Sequence, residues 1–347
     1  MRNFVPVQVT QLKMTQNFPY NILEKQQIIE QINLLAASHS PFLFIIDYKA
    51  EQGFVIKQDE LDARFIRFQV ENKQLTTHII DHSTNQLLTW DINPISLEKY
   101  QTKFDYIIDQ IHKGNSFLTN LTQPTELNTN LSLLDLYQLG SAKYKLWLKG
   151  QFTVLSPETF VRIEGRTISS FPMKGTIDAT IPNAEEILLN DPKEKAEHAT
   201  IVDLIRNDLS LVADRVEVKR YRYVEKLTTN RHDLFQVSSE ISGQLPENFH
   251  ERLGDILFAL LPAGSISGAP KKKTLEIIEQ AEGYERGFYT GIFGYFDGSN
   301  LDSAVMIRFI EQQDAKLVFK SGGGITAQSD LQKEYEELIQ KVYVPIS

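Results

Sequence analysis

The chain has 347 residues with 41% hydrophobic and 23% charged side chains, a balance typical of a folded globular protein. Its formal net charge of -9 argues against a nucleic acid or an anionic membrane surface as the main partner, and the absence of cysteine excludes disulfides, thiolate metal sites and a cysteine nucleophile. No apolar run approaches the roughly 20 residues that span a bilayer, and residues 1–11 show no secretory signal, so a cytoplasmic protein is expected.

Residues 1–95 are predicted to form a small, strand-rich N-terminal portion. Apolar or alternating runs with polar turns between them indicate strands at 42–48, 53–57 and 65–70. The Asn93-Pro94 step breaks regular structure and marks a boundary. Residues 96–347 are therefore expected to form the second and larger domain.

The larger domain is predicted to combine helices and strands without a regular βαβ rhythm. Its first helix has Ser96 as its cap and Gly114 at its end, and a later helix begins at Asp191, which is followed by Pro192. The other predicted elements are strands at 116–122, 153–155, 161–164, 167–171, 291–296, 304–311 and 316–320, and helices at 249–261, from Pro270 onward and at 329–342. This order indicates an α+β fold with large antiparallel sheets rather than a doubly wound fold.

Two of the predicted helices each carry a pair of glutamates three residues apart. These pairs are Glu194 with Glu197 and Glu334 with Glu337, and Lys341 continues the second stripe. Residues three or four apart share a helix face, so two such faces brought together make an all-oxygen site that suits Mg²⁺. A solvated helix face is the simpler alternative. A di-iron bundle is not favoured, because the histidine spacing differs from Glu-x-x-His and the strands are too many.

Two further residues are candidates for catalysis. Lys174 lies in the stretch PMKGT, where it is expected between a strand and a glycine-containing turn, and desolvation or a neighbouring cation can lower the pKa of such an amine and make it nucleophilic. Glu158 follows a predicted strand and is suited to act as a general acid if it is partly buried. A surface lysine and a simple turn are the alternatives.

A buried cation and two glycine-rich segments point to an anionic ligand. Arg308 is expected inside an apolar strand, where it either forms an internal ion pair or binds a carboxylate with its planar guanidinium group. The loop at 262–270 and the glycines at 322–324 can bring backbone N–H groups close to an anion. Neither segment follows a nucleotide-binding pattern.

In this order, the motifs resemble those of the chorismate-utilising family, which includes anthranilate synthase component I, aminodeoxychorismate synthase component I, isochorismate synthase and salicylate synthase. The resemblance covers about residues 96–342 and implies the α+β fold of anthranilate synthase component I. The matching stretches are SFLTNLTQ (116–123), LSPE (155–158), FPMKGT (171–176), AEHATIVDLIRNDLS (196–210), LPAGSISGAPKKKTLEIIE (261–279), GFYTGIFGYF (287–296), MIRF (306–309) and SGGGITAQSD with EYEELIQKV (321–342).

The resemblance implies a Mg²⁺ cofactor that binds the ring carboxylate of chorismate. By this resemblance, Glu197 and Glu337 are metal ligands, and Glu194 and Glu334 support the metal through water. Glu158 matches the general acid that protonates the departing 4-hydroxyl group. The residues implied to hold the carboxylates of chorismate are Arg308, Lys341, Tyr289 and the backbone of Gly322, Gly323 and Gly324.

Within the family, Lys174 resembles the lysine of aminodeoxychorismate synthases, whereas anthranilate synthases usually carry alanine there. The implied reaction has this lysine attack C2, after which ammonia adds at C4 and expels it. Leu118 stands where isochorismate and salicylate synthases carry a lysine base, so hydroxylation is disfavoured. Gln236 and Glu240 depart from the histidine and threonine of many members, which puts substrate contacts near them in question.

The expected function is therefore that of aminodeoxychorismate synthase component I, which makes 4-amino-4-deoxychorismate for 4-aminobenzoate and folate synthesis. Since the chain has no cysteine, a separate glutaminase subunit or free ammonium must supply the ammonia, and a separate lyase must act on the product. Anthranilate synthase component I and a non-catalytic chorismate-binding homologue are the alternatives.

Overall fold

The computed structural model describes residues 18–71, 73–75, 89–227 and 233–344. Two large β-sheets organise the chain, and every strand pairing among these residues is antiparallel. Helices cover the sheets and fill the connections between strands. The predicted α+β class with antiparallel sheets is confirmed.

The first sheet contains strands from both ends of the chain. Its order is β1-β3-β2-β16-β17-β10-β11-β14-β12, and β13 also pairs with β14. The strands are β1 (Leu23–Glu24), β2 (Phe42–Ile46), β3 (Gln52–Lys57), β10 (Thr159–Glu164), β11 (Thr167–Ser170), β12 (Met173–Asp178), β13 (Asp214–Leu227), β14 (Leu234–Gln244), β16 (Ile292–Phe296) and β17 (Leu301–Val305).

The second sheet has the order β15-β7-β19-β18-β9-β8-β4-β5, and β6 also pairs with β7. Its strands are β4 (Ile66–Val70), β5 (Lys73–Leu75), β6 (Trp90–Asn93), β7 (Leu118–Thr129), β8 (Tyr144–Leu148), β9 (Phe152–Ser156), β15 (Gly268–Ala269), β18 (Phe309–Gln313) and β19 (Lys316–Ile325). Strands from before residue 95 pair with later strands in both sheets, β2 with β16 and β4 with β8. A boundary at residue 95 therefore does not separate the strands of either sheet.

The α-helices of the described residues follow the predicted order, with four that the sequence patterns did not indicate: α1, α3, α4, and the short α7 inside the segment predicted as a loop at 262–270. They are α1 (Lys25–Ala37), α2 (Leu97–His112), α3 (Leu133–Leu139), α4 (Ala184–Asn190), α5 (Pro192–Leu209), α6 (Leu253–Leu260), α7 (Gly264–Ser267), α8 (Lys271–Glu282) and α9 (Leu331–Gln340). Ser96 is the N-cap residue of α2, and the Asp191 side chain accepts a hydrogen bond from the Glu194 backbone at the start of α5. None of these helices is long and apolar enough to cross a membrane.

The apolar cores lie between and outside the sheets. Large aromatic side chains such as Phe68, Phe152 and Phe309 fill the layer between the two sheets. A second core packs α1 and α6 against the first sheet, and a third packs α2, α8 and α9 against the second sheet. This packing holds α5 against the first sheet and α9 against the second.

The prediction of one strand over 304–311 is wrong. β17 ends at Val305 in the first sheet, and β18 begins at Phe309 in the second sheet. Arg308 lies in the crossing between them, with a left-handed φ of 52°. The apolar alternation continues through the crossing because both strands bury side chains in the same layer, so the sequence pattern alone does not reveal the break.

Candidate active site

The candidate site residues line one cavity of about 760 Å³, a size typical of small-molecule sites. Its walls come from α5 and β12 on one side, from α9 and β19 on the other, and from the crossing between β17 and β18. The predicted residues among those that line it are Glu158, Lys174, Glu194, Glu197, Tyr289, Arg308, Gly322, Gly323, Gly324, Glu334, Glu337 and Lys341. These predicted residues, which lie up to 183 positions apart in the sequence, thus share one space.

Both glutamate pairs face this cavity from two different helices. α5 presents Glu194 and Glu197, and α9 presents Glu334 and Glu337. Burial raises the pKa of Glu194 and of Glu334 above their ordinary values. Ser329 opposes this shift at Glu334 by donating a hydrogen bond of 2.8 Å to Oε1. Glutamates at this spacing usually lie on a solvent-exposed helix face. Here both pairs line a partly enclosed cavity instead.

Lys174 lies within β12 rather than between a strand and a turn, which corrects the prediction. The pairing of β12 with β14 shifts register between Met173 and Thr176, and Gly175 has a φ of 81° inside this irregularity. A bulge of this kind redirects the side chains beside it. In this structure the bulge directs the Lys174 amine towards Glu197, with 2.7 Å between Nζ of Lys174 and Oε2 of Glu197.

The expectation that the pKa of Lys174 is lowered is also wrong for this state of the protein. Burial alone lowers the pKa of the amine, but Glu197, followed by Glu194 and Glu337, raises it by more. The net pKa lies above the ordinary value, so Lys174 is an ammonium group here. A lysine with this partner carries positive charge and does not carry a free electron pair.

Lys341 pairs with Glu337 in the same way. Its Nζ lies 2.6 Å from Glu337 Oε1 and donates a hydrogen bond of 2.9 Å to the carbonyl oxygen of Gly322. Burial raises the pKa of Glu337, but the charge and hydrogen bond of Lys341, together with the charges of Lys174 and Lys193, outweigh burial, so the net pKa is below its ordinary value. Lys341 thereby connects the end of α9 to the glycine segment of β19.

The glycines at 322–324 lie inside β19, which extends beyond the predicted strand at 316–320. A Cβ atom at Gly322 would lie 2.4 Å from the carbonyl oxygen of Leu121 in β7, which no side chain permits. A Cβ atom at Gly323 would lie 3.5 Å from both Glu334 Oε2 and Glu337 Oε1. The absence of side chains therefore lets β7 and β19 approach each other and leaves room beside the carboxylates.

Glu158 follows β9 and projects into the cavity. The hydroxyl group of Ser265 donates a hydrogen bond to Glu158 Oε1. Burial raises the pKa of Glu158, and the Ser265 hydrogen bond and the charge of Lys341 only partly oppose this effect. The carboxyl group therefore keeps its proton to a higher pH than an exposed glutamate, as a general acid requires.

Arg308 and Tyr289 line the cavity wall between the sheets. The guanidinium group of Arg308 lies over the ring of Tyr343 with 4.1 Å to the ring centroid, and the Arg308 carbonyl accepts a hydrogen bond from the Leu155 backbone. Tyr289 is 3% exposed, and burial raises the pKa of its hydroxyl group. These two groups provide a cation and a neutral hydrogen-bond donor for an anionic ligand.

The carboxylates have the chemistry of a Mg²⁺ site but are held by lysines in this structure. Among the described residues, no three histidine, aspartate or glutamate side chains converge closely enough to hold a metal ion as they stand. The donors are all carboxylate oxygens, as Mg²⁺ prefers, and Glu194 Oε2 is buried without a hydrogen-bond partner. The residues therefore fit the ion, provided that Glu197 and Glu337 exchange their lysine partners for it.

Leu118 and Gln236 also line the cavity, whereas Glu240 is not among the residues that line it. Gln236 lies on β14 opposite Thr176 of β12, next to the strand of Lys174. Glu240 instead accepts a hydrogen bond of 2.8 Å from Arg220 Nε. Of the two departures from the family pattern, only Gln236 is thus placed to touch a ligand in the cavity.

Among the cavity residues that the sequence interpretation missed are Lys193, Ser265 and Lys320. Lys193 lies on α5 between the two carboxylate pairs, Ser265 binds Glu158, and Lys320 is 2% exposed with Nζ 2.9 Å from Glu311 Oε1. Lys193 lies four residues before Glu197, so the same helical spacing that defines the glutamate pairs also places Lys193 on this face. Ser265 lies in the glycine-rich segment already identified, but nothing in the local sequence indicates its contact with Glu158.

Comparison with known proteins agrees with this geometry. Residues 6–347 match the family model described as chorismate binding enzyme. The chain is 49% identical over 322 residues to an uncharacterized PabA-like protein of Haemophilus influenzae, covering 92% of this chain and 97% of that protein. It is 31% identical over 314 residues to aminodeoxychorismate synthase component 1 of Escherichia coli, covering 86% of this chain and 66% of that protein.

A solved structure supports the same fold. The structure of anthranilate synthase component I from Streptococcus pneumoniae superposes with a TM-score of 0.63 at 21% identity, covering 95% of this chain and 81% of that chain. With the family match over nearly the whole sequence, the cavity and its motifs assign the chain to the chorismate-binding enzymes.

Proposed function

We propose that this chain is the aminating component of an aminodeoxychorismate synthase, which converts chorismate and ammonia into 4-amino-4-deoxychorismate and water. The observation that carries the proposal is the position of Lys174 in the cavity, where its amine shares the space with Glu158 and with both glutamate pairs. The name of the Escherichia coli relative supports the same reaction.

Chorismate is a dianion, and the cavity offers cations for both of its carboxylates. Arg308 and Lys341 supply positive charge, and Tyr289 and the backbone of Gly322–Gly324 supply polar contacts. Glu197 and Glu337 would hold Mg²⁺, with Glu194 and Glu334 close by. When bound, the ion neutralises the ring carboxylate and draws electron density from the ring.

Glu158 then acts as the general acid and Lys174 as the nucleophile at the ring. Glu158 gives its proton to the 4-hydroxyl group, which leaves C4 as water. The Lys174 amine forms a bond to C2 while the two conjugated ring double bonds shift towards C4. Ammonia next forms a bond to C4, the two double bonds shift back, and the bond between C2 and Lys174 breaks. The Glu158 carboxylate takes up the proton that the new ammonium group releases.

Lys174 must first lose a proton to act in this way. As long as its ammonium group donates to Glu197, it has no electron pair for C2. The nucleophilic role therefore requires that Lys174 and Glu197 separate before the reaction. If they stay together, Lys174 contributes only positive charge beside the ring.

The side chain of Leu118 supports amination over hydroxylation. It lines the cavity but has no group that accepts a proton from water. Ammonia needs no such activation, because the lone pair on its nitrogen is far more nucleophilic than the lone pairs on the oxygen of neutral water. A separate glutaminase subunit is proposed to supply it, since the chain has no cysteine for glutamine hydrolysis. A separate lyase would then act on the product.

Product analysis tests the proposal. The purified chain is incubated with chorismate, Mg²⁺ and ammonium at mildly alkaline pH, and the products are identified by mass spectrometry and NMR. We expect 4-amino-4-deoxychorismate, and no product when glutamine replaces ammonium. Anthranilate would instead assign amination to C2, and unchanged chorismate that is nevertheless bound would assign a binding role.

A further inference from the structure

Among the residues that the structure describes, Lys193 forms ion pairs with glutamates on both carboxylate-bearing helices, α5 and α9. It lies on α5, one residue before Glu194, and its Nζ is 3.7 Å from Glu197 Oε1 on its own helix. The same nitrogen is 3.8 Å from Glu334 Oε1 on α9. A single positive charge thus lies between oxygens that the proposed metal site draws from two helices.

The contacts of Lys193 differ from those of the other two lysines beside these carboxylates. Lys174 and Lys341 each approach one carboxylate at hydrogen-bonding distance, 2.7 Å and 2.6 Å respectively. Both distances of Lys193 exceed that range, so charge attraction without a well-formed hydrogen bond holds it in place. Its side chain is 41% exposed, so the ammonium group can move into solvent without a change in the backbone.

We propose that Lys193 is an internal counter-cation, which occupies the space between the two carboxylate pairs when no metal is bound and competes with Mg²⁺ for it. This inference rests on the proposed function, because the metal belongs to that function. Lys193 neutralises Glu197 and Glu334 across the cavity and keeps α5 and α9 together without the metal. When Mg²⁺ enters, Lys193 turns outward.

The consequence is that Lys193 weakens Mg²⁺ binding and sets the concentration at which the site fills. Two cations cannot occupy the same few ångströms without strong repulsion. Removing the ammonium group leaves the carboxylates with one positive charge fewer and with a higher affinity for a divalent ion. A ligand role for Lys193, or a role in shaping the carboxylates for the metal, predicts the opposite change.

Calorimetric titration of the full chain with MgCl₂, in the absence of chorismate, tests this inference. Lys193→Met removes the charge and keeps an unbranched side chain. Lys195→Met is the matched control, because Lys195 is exposed on the same helix and is not among the residues that line the cavity. We expect Lys193→Met to tighten Mg²⁺ binding about tenfold relative to this control, the effect of one nearby unit charge in a partly exposed site. Lys193→Arg keeps the charge and should stay near the wild type.

Thermal unfolding gives a second measurement that does not depend on activity. Without Mg²⁺, Lys193→Met should unfold at a lower temperature than Lys195→Met, since its carboxylates repel one another. Saturating Mg²⁺ should remove this difference, because a ligand that binds the folded state stabilises it according to its affinity. Equal or weaker Mg²⁺ binding in Lys193→Met than in Lys195→Met overturns the inference, and so does a wild-type chain that binds no Mg²⁺.

These outcomes are separate from those that test the proposed reaction. A chain that binds Mg²⁺ and makes anthranilate would contradict C4 amination and leave the Lys193 test intact. A chain that makes 4-amino-4-deoxychorismate but binds Mg²⁺ no more tightly after Lys193→Met would retain the reaction and exclude the counter-cation role.

Discussion

The amine of Lys174 and the carboxylate of Glu197 are 2.7 Å apart, so the candidate nucleophile and a candidate metal ligand neutralise each other. The pair explains why the pKa of Lys174 is raised although the amine is buried. It also means that one residue cannot take up its proposed role without releasing the other.

Replacing Lys174 separates its covalent role from its electrostatic role. Lys174→Ala should lower the rate of C4 amination by more than about 100-fold, because the nucleophile is lost. Lys174→Arg keeps a cation beside Glu197 but cannot form and break a bond to C2, so it should be equally impaired. The measurement is single-turnover product analysis of both variants. Substantial C4 amination by Lys174→Arg would assign an electrostatic role, and full activity of Lys174→Ala would exclude both roles.

The protonation of Glu158 should respond to Ser265 in a defined direction. Burial raises the pKa of the carboxyl group, and the Ser265 hydrogen bond stabilises the carboxylate and so lowers it. Ser265→Ala removes the lowering contribution, and Glu158 should therefore stay protonated to a higher pH than in the wild type. Infrared titration of the carboxyl C=O stretch measures this, and the band is assigned by its loss in Glu158→Gln.

Glu158→Gln should also lower the amination rate by roughly 10²- to 10⁴-fold, the usual contribution of a general acid. Ser265→Ala keeps the carboxyl group and should lose much less activity. A midpoint that moves to lower pH in Ser265→Ala, or a Glu158→Gln variant with wild-type activity, would contradict the role of Glu158 as a proton donor.

Neighbouring glycines of β19 should respond differently to the same substitution. Gly323→Ala places a methyl group 3.5 Å from Glu334 Oε2 and Glu337 Oε1, an ordinary contact that the fold accommodates. It should weaken Mg²⁺ binding by on the order of tenfold, as changes beside metal ligands do, with little effect on stability. Gly322→Ala would press against the Leu121 carbonyl and should destabilise the fold by about 1–3 kcal/mol. Calorimetry and urea unfolding of both variants provide the comparison, and the same loss of stability in both would contradict it.

A buried ion pair beneath the site should contribute strongly to stability. Arg286 and Glu282 are each 2% exposed as residues, and Arg286 Nη2 lies 2.6 Å from Glu282 Oε1. Arg286→Met leaves a buried carboxylate without its cation and should reduce the free energy of unfolding by about 3–5 kcal/mol. Adding Glu282→Leu removes the uncompensated charge, so the double variant should be more stable than Arg286→Met alone. Urea unfolding measures both effects, and strictly additive losses would show that the two charges do not interact.

The helices of the site followed from local sequence signals. Asp191 and Pro192 fixed the start of α5, and the three-residue spacing placed Glu194 and Glu197 on one face. α1 is not among the predicted elements, although its buried residues Ile28, Ile32 and Leu35 show the helical spacing. Local rules thus predicted which face of α5 carries the glutamates that line the cavity. The catalytic and metal-binding roles of these residues remain predictions.

The geometry between elements could not be derived from local patterns. The position of Lys174 depends on the pairing of β12 with β14, whose residues lie about 60 positions later. The pKa of Lys174 depends in turn on α5, which packs there only in the complete fold. Arg308 has a left-handed backbone, which is uncommon for a large side chain, and no residue type in the sequence signals it.

Because Arg308 lies where the chain crosses from one sheet to the other, the position of its guanidinium group depends on how the two sheets pack. Because β17 belongs to one sheet and β18 to the other, a slight slide of one sheet over the other displaces the guanidinium group in the cavity. Substitutions among the aromatic side chains between the sheets can therefore alter chorismate affinity without touching the ligand. In a family whose members share this fold, substrate preference can drift through interior repacking while the residues around the substrate stay the same.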